Sequence, residues 1–420
     1  MNRIYDAVDF IKKKENSAFY LYDYQVMDEK IDSLHNALGP DIALAYSLKA
    51  NPNPEIVKKI GQKIKWFDVA SLFEMKVVLK CFDANFKIIY TSPGKSLQEL
   101  SFAIANNVYV IVCEDIQEII RISDIAKNLG KVQKIAIRIN PSYDNSNLDN
   151  SFSNKPSQMG LEEHVAFSLN RILEDNPSVE LIGWHFYIGS RNLSAQSIIE
   201  NTNYIFVVFQ KLCDFYKKNF EFLDIGGGFG VNYFNGELPL DLICLKKSFS
   251  FLMSELKRKH PKLLVIAESG RFIVAESGYM VTNVITVKIS KGVDFAITDS
   301  GITSFFLAAD NLSNYGKNEK RNFPISVVPG NKSREKIKTY HVVGPTPTTS
   351  DVLAIDVPLP EVHPGDILVV SKAGAYGATA SLSYFIGQGF PAEYALNNGI
   401  ISQIKPRVSV DQLLNSYNLP

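Results

Sequence analysis

The sequence lacks a net charge and any compositional bias. Its 420 residues contain 44 Lys and Arg against 44 Asp and Glu, so the formal net charge is zero. A protein without excess positive charge has no electrostatic basis for nonspecific binding to nucleic acid. With 46% apolar and 11% aromatic residues, the composition is that of a globular protein and excludes a disordered or fibrous one.

Long apolar runs and clustered cysteines are also missing. No window reaches the roughly 18 uninterrupted apolar residues of a membrane-spanning helix. Charges interrupt every apolar stretch of the N-terminal segment MNRIYDAVDFIKKKEN, so we predict no signal peptide, no membrane partner and a soluble cytoplasmic protein. The four cysteines are Cys81, Cys113, Cys213 and Cys244, and no two form a CxxC pair. We expect buried free thiols, with neither a disulfide framework nor a metal site.

Eight short runs of β-branched and aromatic residues recur through the first two thirds of the chain, each ending in polar or glycine residues. They are residues 42–51, 66–71, 87–93, 108–115, 134–141, 180–190, 220–230 and 262–271. Helix-capping signals follow several of them: Asn53 before Pro54, Ser71 before Glu74, Ser96 before Glu99 and Asp115 before Glu118. Repeated strand and helix signals favour a (β/α)8 TIM barrel over an open doubly wound sheet.

The pattern changes from about residue 275, where strand-like runs dominate and few helical patterns remain. A similar run at residues 18–23 precedes the first barrel unit. We therefore predict an α/β barrel over residues 25–274. Residues 1–24 and 275–420 are predicted to form an all-β domain.

Candidate chemical groups lie where the predicted barrel strands end, which is where such barrels carry their sites. Lys49 ends the first run, and partial burial there would favour the neutral, nucleophilic amine, although a lone lysine at such a place is more often a surface residue. Gly226 to Gly228 end the seventh run and either form a tight turn or direct N–H groups at a phosphate. Glu268 and Arg271 end the eighth run, where an ion pair is the simpler interpretation.

One cofactor would use all of these groups. Pyridoxal phosphate needs a lysine for its aldehyde, N–H donors with an arginine for its phosphate, and in many enzymes a carboxylate at its ring nitrogen. Lys49, the glycines, Glu268 and Arg271 match those needs, and the joint pattern is more specific than any part of it.

The sequence resembles the fold type III pyridoxal-phosphate decarboxylases, which include ornithine and diaminopimelate decarboxylases, over nearly its whole length. The resemblance is carried by YSLKAN at 46–51, FDVAS at 67–71, SPGKS at 92–96, IRINP at 137–141, IGS at 188–190, DIGGGFG at 224–230, ESGR at 268–271, GP at 344–345 and GAYG at 374–377. It implies an alanine-racemase-like barrel, a C-terminal β domain and a homodimer with active sites at the subunit interface.

The resemblance also implies roles for individual residues. Lys49 resembles the lysine that forms a Schiff base with the cofactor, and Glu268 resembles the partner of its ring nitrogen. The phosphate-binding set is matched by Ser190, Gly226, Gly227, Gly228, Gly270, Arg271 and Tyr376. Asp68 and Arg138 match positions that support the lysine and the ring. Other segments look closer to the branch with carrier-protein-linked or siderophore-type substrates.

Two positions depart from the family pattern on the cofactor side of the site. Tyr187 stands where the family has a histidine stacked on the cofactor ring, and a tyrosine can stack there too. His185, two residues earlier, is expected to be a core histidine.

The substrate loop, which the resemblance assigns to the partner subunit, also departs from the pattern. It consists of Pro347, Thr348, Thr349 and Asp351. Pro347 replaces a proton-donating cysteine, so Lys49, Tyr187 or water must supply that proton. Thr348 replaces an acid that grips a distal amine, which argues for a neutral or extended substrate.

Two main interpretations remain open on the sequence. In the first, the chain is a pyridoxal-phosphate-dependent amino-acid decarboxylase with an atypical site and a small-molecule or carrier-linked substrate. In the second, it binds the cofactor without decarboxylating and acts as a regulatory or partner subunit. A racemase of the same fold is a third alternative, which the GGGFG and ESGR motifs disfavour.

Overall fold

A computed structural model describes residues 1–143, 156–314, 321–330 and 336–417. The chain forms two compact units. The barrel unit comprises residues 30–231 and 239–272, and the β unit comprises residues 1–29, 232–238 and 273–420. The sequence placed these boundaries at residues 24/25 and 274/275. No helix in the described part of the chain is long and apolar enough to cross a membrane.

Eight parallel strands form the barrel, as the sequence predicts. In chain order, the first to eighth barrel strands are Ile42–Ser47, Trp66–Val69, Lys87–Thr91, Val110–Cys113, Gln133–Asn140, Val179–Phe186, Phe222–Asp224 and Leu264–Ser269. The fourth and fifth strands pair through Ile111 and Ile135, and the eighth pairs with the first through Glu268 and Ala45. These pairings close the ring, which excludes the open-sheet alternative. A two-residue strand, Leu161–Glu162, pairs with the end of the fifth.

Helices connect the strands, and four of them begin at the predicted caps Asn53, Ser71, Ser96 and Asp115. They are Tyr24–Leu38, Pro54–Gly61, Leu72–Cys81, Leu97–Ala105, Ile116–Asn128, Asn170–Asp175, Ala195–Tyr216, Leu242–Lys259 and Arg271–Val274, with 3-10 turns at Leu48–Ala50 and Val165–Ser168. Among the three predicted capping boxes, the one formed by Ser96 and Glu99 is complete and reciprocal. Glu74 and Glu118 reach one residue further back, to the N–H groups of Ala70 and Glu114.

The β unit is built on a nine-stranded sheet. Its strands are Phe19–Asp23, Gly278–Ser290, Val293–Thr298, Ile325–Val327, Ile337–Val343, Val352–Pro360, Ile367–Ser371, Ala392–Asn397 and Ile400–Lys405. The early strand pairs antiparallel with Gly278–Ser290 and parallel with Ala392–Asn397. Residues 18–23 therefore belong to this sheet.

Helices accompany this sheet, and the sequence reading missed them. They are Asn2–Lys12, Ile302–Asn314 and Val410–Leu414, with a 3-10 turn at Phe385–Gly387. The first buries Ile4, Val8 and Ile11 against the sheet core. The second contains Phe305, whose ring packs 4.8 Å from that of Phe323. Phe305 is thus a core residue of this unit.

All four cysteines are free, as expected, but only two are fully buried. Cys113 and Cys213 lie in the interior, whereas Cys81 and Cys244 are partly exposed. Cys244 lies in the first turn of the helix Leu242–Lys259, where solvent reaches it.

A buried ion pair ties the third and fourth βα units of the barrel together. The Lys95 ammonium is fully buried and donates to the carbonyls of Ser92 and Val112, each at 2.7 Å, and to Glu118 Oε1 at 2.8 Å. Three acceptors satisfy its three N–H groups, so desolvation of the charge is compensated.

We expect Lys95→Met to lower the free energy of unfolding by about 3–5 kcal/mol, because it leaves the buried Glu118 carboxylate without its cation. Urea denaturation followed by circular dichroism measures this loss. Lys127→Met removes an exposed lysine from the helix Ile116–Asn128 and serves as the control, with an expected change below about 1 kcal/mol. Equal losses in the two variants would contradict the assignment.

Candidate active site

Lys49 lies at the C-terminal end of the barrel, in the 3-10 turn that follows the first strand. Its side chain is 40% exposed, and Nζ lies 3.1 Å from Oδ2 of the buried Asp68. The hydroxyl of Thr91, at the end of the third strand, donates to the other oxygen of Asp68. An accessible amine is therefore oriented by a carboxylate that is itself fixed by the next strand.

A second acid, Glu74, interacts electrostatically with Asp68 and Lys49. Burial raises the pKa of Glu74 from 4.5 to about 7, the N–H of Ala70 lowers it in part, and repulsion from Asp68 adds to the rise. Glu74 begins the helix after the second strand, where Ser71 caps it. The raised pKa favours the protonated form of this carboxyl group over a wider pH range than for an exposed glutamate.

The ring of Tyr187 lies beside two cations. Lys49 Nζ is 5.9 Å from the ring centroid, and the guanidinium carbon of Arg138 is 5.7 Å from it. Both distances are in the range of cation–π attraction. Tyr187 follows the sixth strand and is partly exposed, so part of its ring is accessible.

Arg138, on the fifth strand, is held from behind by Glu114. The Glu114 carboxylate is 2% exposed, lies 3.1 Å from Arg138 Nη1 and accepts the N–H of Gly160 at 2.8 Å. The sulfur of Met159 also lies 3.4 Å from Nη1. Sequence reasoning missed Glu114, although its place at the end of the fourth predicted strand was a signal.

Consecutive glycines at 226–228 form a loop that no other residue type would fit. A Cβ at these positions would lie 2.3, 2.3 and 2.4 Å from the carbonyl oxygens of Phe186, Glu268 and Gly189. Gly226 and Gly228 also have φ angles of 69° and 96°, in the left-handed region. Close approach to backbone carbonyls and positive φ, not chain flexibility, explain the motif.

Ser190 and Asn192 lie next to this glycine loop. The N–H of Asn192 donates to the Gly228 carbonyl at 2.8 Å, and the position of a Cβ on Gly228 is 3.8 Å from Ser190 Cα. Gly270 packs its backbone against the Ser47 carbonyl, at 2.7 Å from the position of a Cβ, and Arg271 follows it. The predicted phosphate-binding residues of the barrel unit therefore flank the ends of the sixth, seventh, eighth and first strands.

Glu268 is buried at the end of the eighth strand, with 3% of its side chain exposed. Its Oε1 lies 3.4 Å from Nε2 of His185. Burial opposes ionisation of Glu268, but the hydrogen bond from His185 and the charges of His185, Lys49 and Arg138 outweigh it and lower its pKa to about 2. His185 lies in the core, as expected, and in addition contacts this carboxylate, which sequence reasoning missed.

Five of the predicted residues belong to the β unit. Tyr376 has a φ of 54°, so its backbone adopts the left-handed conformation that is uncommon for a bulky residue. The other four lie in the segment 346–351, between two strands of the same unit. Pro347 has no polar side-chain atom, and the Thr348 and Ser350 hydroxyls lie 2.9 Å apart.

Asp351 is used within its own chain. One carboxylate oxygen accepts the N–H of Ile302 at 2.8 Å, and the other accepts the N–H and the hydroxyl of Thr346 at 2.9 and 2.6 Å. Asp351 is 2% exposed. Asp351 therefore links Ile302 and Thr346 within its own chain, and its predicted role toward substrate stays a prediction.

The barrel residues fit pyridoxal phosphate. A Cβ-free loop with backbone N–H groups suits a phosphate, an accessible lysine paired with a carboxylate suits an aldehyde, and a buried anionic glutamate suits a protonated ring nitrogen. Together, the closed barrel and these groups define the class of pyridoxal-phosphate-binding barrel proteins.

Comparison with known families confirms that class. The pyridoxal-binding domain of the pyridoxal-dependent decarboxylases matches residues 25–275. The chain belongs to this family. It is a pyridoxal-phosphate-dependent amino-acid decarboxylase.

Two curated relatives differ in their named substrates. The chain is 30% identical to the L-glutamyl-[BtrI acyl-carrier protein] decarboxylase of Niallia circulans, over 99% of this chain and 96% of that protein. It is 28% identical to the 2-[(L-alanin-3-ylcarbamoyl)methyl]-2-hydroxybutanedioate decarboxylase of Staphylococcus aureus, over 89% of this chain and 92% of that protein.

A solved relative confirms the fold. The diaminopimelate decarboxylase of Helicobacter pylori complexed with L-lysine superimposes with a TM-score of 0.85 at 28% identity, covering 97% of this chain and 98% of that one. The barrel with an added β domain is therefore shared over the full length.

We expect Tyr187→Phe to retain cofactor affinity, because the ring and its faces toward Lys49 and Arg138 are unchanged. Tyr187→Ala should raise the dissociation constant for pyridoxal phosphate about 5- to 10-fold, since an aromatic contact contributes roughly 1 kcal/mol. Fluorescence titration of the cofactor-free protein measures both constants. Equal affinities for the Ala and Phe variants would exclude ring stacking by Tyr187.

Glu74 should make the free energy of unfolding of the cofactor-free protein depend on pH. Because its folded-state pKa is raised, its stabilising contribution is complete below pH 4.5 and is lost as the pH rises through about 7. As the pH rises between these limits, the free energy of unfolding of Glu74→Gln should therefore increase relative to that of the wild type by up to roughly 3 kcal/mol. Above these limits the difference should stay constant. Urea denaturation across this pH range measures the difference, and a constant difference would contradict the raised pKa.

Proposed function

We propose that the chain decarboxylates an amino acid whose distal end is neutral or is attached to a larger carrier, and that it does so as a homodimer. The main support for this substrate class is the loop of residues 346–350, whose side chains include hydroxyl groups and a proline but no charged group. Asp351, the acid next to it, already accepts three hydrogen bonds from its own chain. A cationic distal amine would find no carboxylate partner in this segment.

The names of the relatives support this substrate class. The relative from Niallia circulans acts, by its name, on a glutamyl group joined to an acyl-carrier protein. A group in that linkage has no free distal amine. The uncharged loop of this chain suits such a substrate, and also an amide-linked small molecule.

Each site residue has a distinct role in the proposed reaction. When bound, pyridoxal phosphate supplies the aldehyde that joins the substrate amine and the protonated ring that accepts the electron pair left when carbon dioxide departs. Lys49 holds the cofactor and is oriented by Asp68. Glu268 stabilises the proton on the ring nitrogen. The loop Gly226–Gly228 holds the phosphate together with Arg271, through N–H groups other than that of Gly226, which donates to Asp224.

The last step returns a proton to the carbon that lost carbon dioxide. Pro347 has no proton to give, which leaves Lys49, Tyr187 and water as donors. We favour Lys49, because Asp68 holds its Nζ in a defined position, 3.1 Å from Oδ2. Tyr187 then serves as a ring platform beside it.

The homodimer is proposed because family members complete each site with a loop from a second copy. In this chain that loop would be residues 347–351. Sedimentation at working concentration should give a mass near twice the 46.9 kDa of one chain. A stable monomer would contradict this assembly.

Carbon dioxide release tests the function directly. We expect turnover of a carrier-linked or amide-linked amino acid, and a kcat/KM for ornithine, lysine and diaminopimelate lower by about 100-fold or more, because their distal amine stays unpaired. Lys49→Ala should abolish turnover and the visible absorbance of bound cofactor. Cofactor binding without turnover on any of these substrates would favour the regulatory alternative.

A designed acid tests the loop. Thr348→Glu should raise kcat/KM for lysine relative to the wild type by about tenfold, equal to ~1.4 kcal/mol, by adding a partner for the distal amine. The matched control is Thr349→Glu, which adds the same charge one residue away. Equal effects of the two variants would show that residue 348 does not face the substrate.

A further inference from the structure

Three buried polar side chains meet inside the barrel, below the ends of the strands. His185, Asp224 and Glu268 come from the sixth, seventh and eighth strands and are 1%, 0% and 3% exposed. His185 and Asp224 are direct neighbours in the parallel register. One donor or acceptor atom from each of the three lies within 4.8 Å of the others.

His185 contacts Glu268 through one of its two ring nitrogens. Nε2 lies 3.4 Å from Glu268 Oε1, whereas no described residue offers a partner to Nδ1. A buried N–H without an acceptor is costly, so this geometry favours a proton on Nε2, from which His185 donates to Glu268.

Asp224 differs from Glu268 in its partners. Its Oδ1 accepts the N–H of Gly226 at 2.8 Å, but Oδ2 has no hydrogen-bond partner among the described residues. An ionised carboxylate with one unpaired oxygen would be strongly disfavoured at zero exposure. Burial first, and then the nearby charge of Glu268, raise the pKa of Asp224 well above its usual range.

The surrounding charges act on the two acids unequally. The charges of His185, Lys49 and Arg138 favour the ionised form of Glu268, while at Asp224 the N–H of Gly226 and the charge of Lys49 oppose the larger effects of burial and of the Glu268 charge. Donors and cations thus favour ionisation of Glu268, and neighbouring anions oppose ionisation of Asp224. Two adjacent carboxyl groups then carry one negative charge between them.

We propose that His185 is a positioning residue that makes Glu268 the ionised member of this acid pair, with Asp224 kept as a neutral carboxylic acid. These two acids then carry a single negative charge, which matches the single positive charge of a protonated cofactor ring. The Asp224 proton also keeps a second anion away from the loop at Gly226 that is proposed to hold phosphate. This inference rests on the proposed role of Glu268 at the ring nitrogen.

Infrared spectroscopy of the cofactor-free full chain tests the charge assignment directly, because only a protonated carboxyl group has an acid C=O stretch. Protein labelled with 13C-aspartate should show at neutral pH an acid band that disappears in Asp224→Asn and remains in Glu268→Gln. Absence of an Asp224-dependent band would overturn the proposal.

The role of His185 requires a second pair of variants in protein labelled with 13C-glutamate. In His185→Leu, which cannot donate, the acid dissociation constant of Glu268 should fall at least tenfold. In His185→Gln the amide N–H should restore at least part of that loss. An unchanged Glu268 titration in a folded His185→Leu protein, checked by circular dichroism, would overturn the role of His185.

The cofactor-loaded protein separates this inference from the proposed function. His185→Leu should also shift the pH dependence of the visible absorbance of bound pyridoxal phosphate, and His185→Gln should shift it less. If the infrared results hold but Glu268→Gln leaves that pH dependence unchanged, Glu268 is not the ring partner and the proposed function fails in that point alone. If the predicted infrared bands are absent but Glu268→Gln does change the pH dependence of the absorbance, only the roles of His185 and Asp224 are refuted.

Discussion

The parallel register that closes the barrel determines where every charge of the site lies. Adjacent parallel strands direct residues at the same level to the same face, so Arg138, His185 and Asp224 project together from the fifth, sixth and seventh strands. Slipping one strand by a single residue would turn its polar side chain outward and leave its neighbour's charge without a partner. Backbone pairing and electrostatics therefore depend on each other in this fold.

The site uses two tiers of polar residues. Lys49 and Tyr187 are accessible, whereas Asp68, Glu114 and Glu268 are nearly completely buried. Asp68 orients Lys49, and Glu114 holds Arg138 beside Tyr187. Since the buried members act in a medium of low polarity, each hydrogen bond or charge among them has a large effect on its neighbours. A histidine in contact with Glu268 matters here for that reason, and the same histidine on the surface would not.

Asp351 of the β unit interacts within its own chain, where its carboxylate accepts three hydrogen bonds from Ile302 and Thr346. The adjacent residues 346–350 have uncharged side chains. The sequence alone identifies Asp351 as an acid beside this segment, and only the structure shows the hydrogen bonds that it accepts.

The sequence by itself determined the strand and helix order of the barrel, the presence of an added β unit, the glycine loop and the positions of Lys49 and Glu268 at strand ends. These features follow from local patterns: periodicity, capping spacing and consecutive glycines at a strand end. Only the tertiary structure decided that Glu114 holds Arg138, that Thr91 fixes Asp68 and that His185 contacts Glu268. Those partners lie 24, 23 and 83 residues apart in the chain, so no local pattern links them, and closure of the strands brings them into contact.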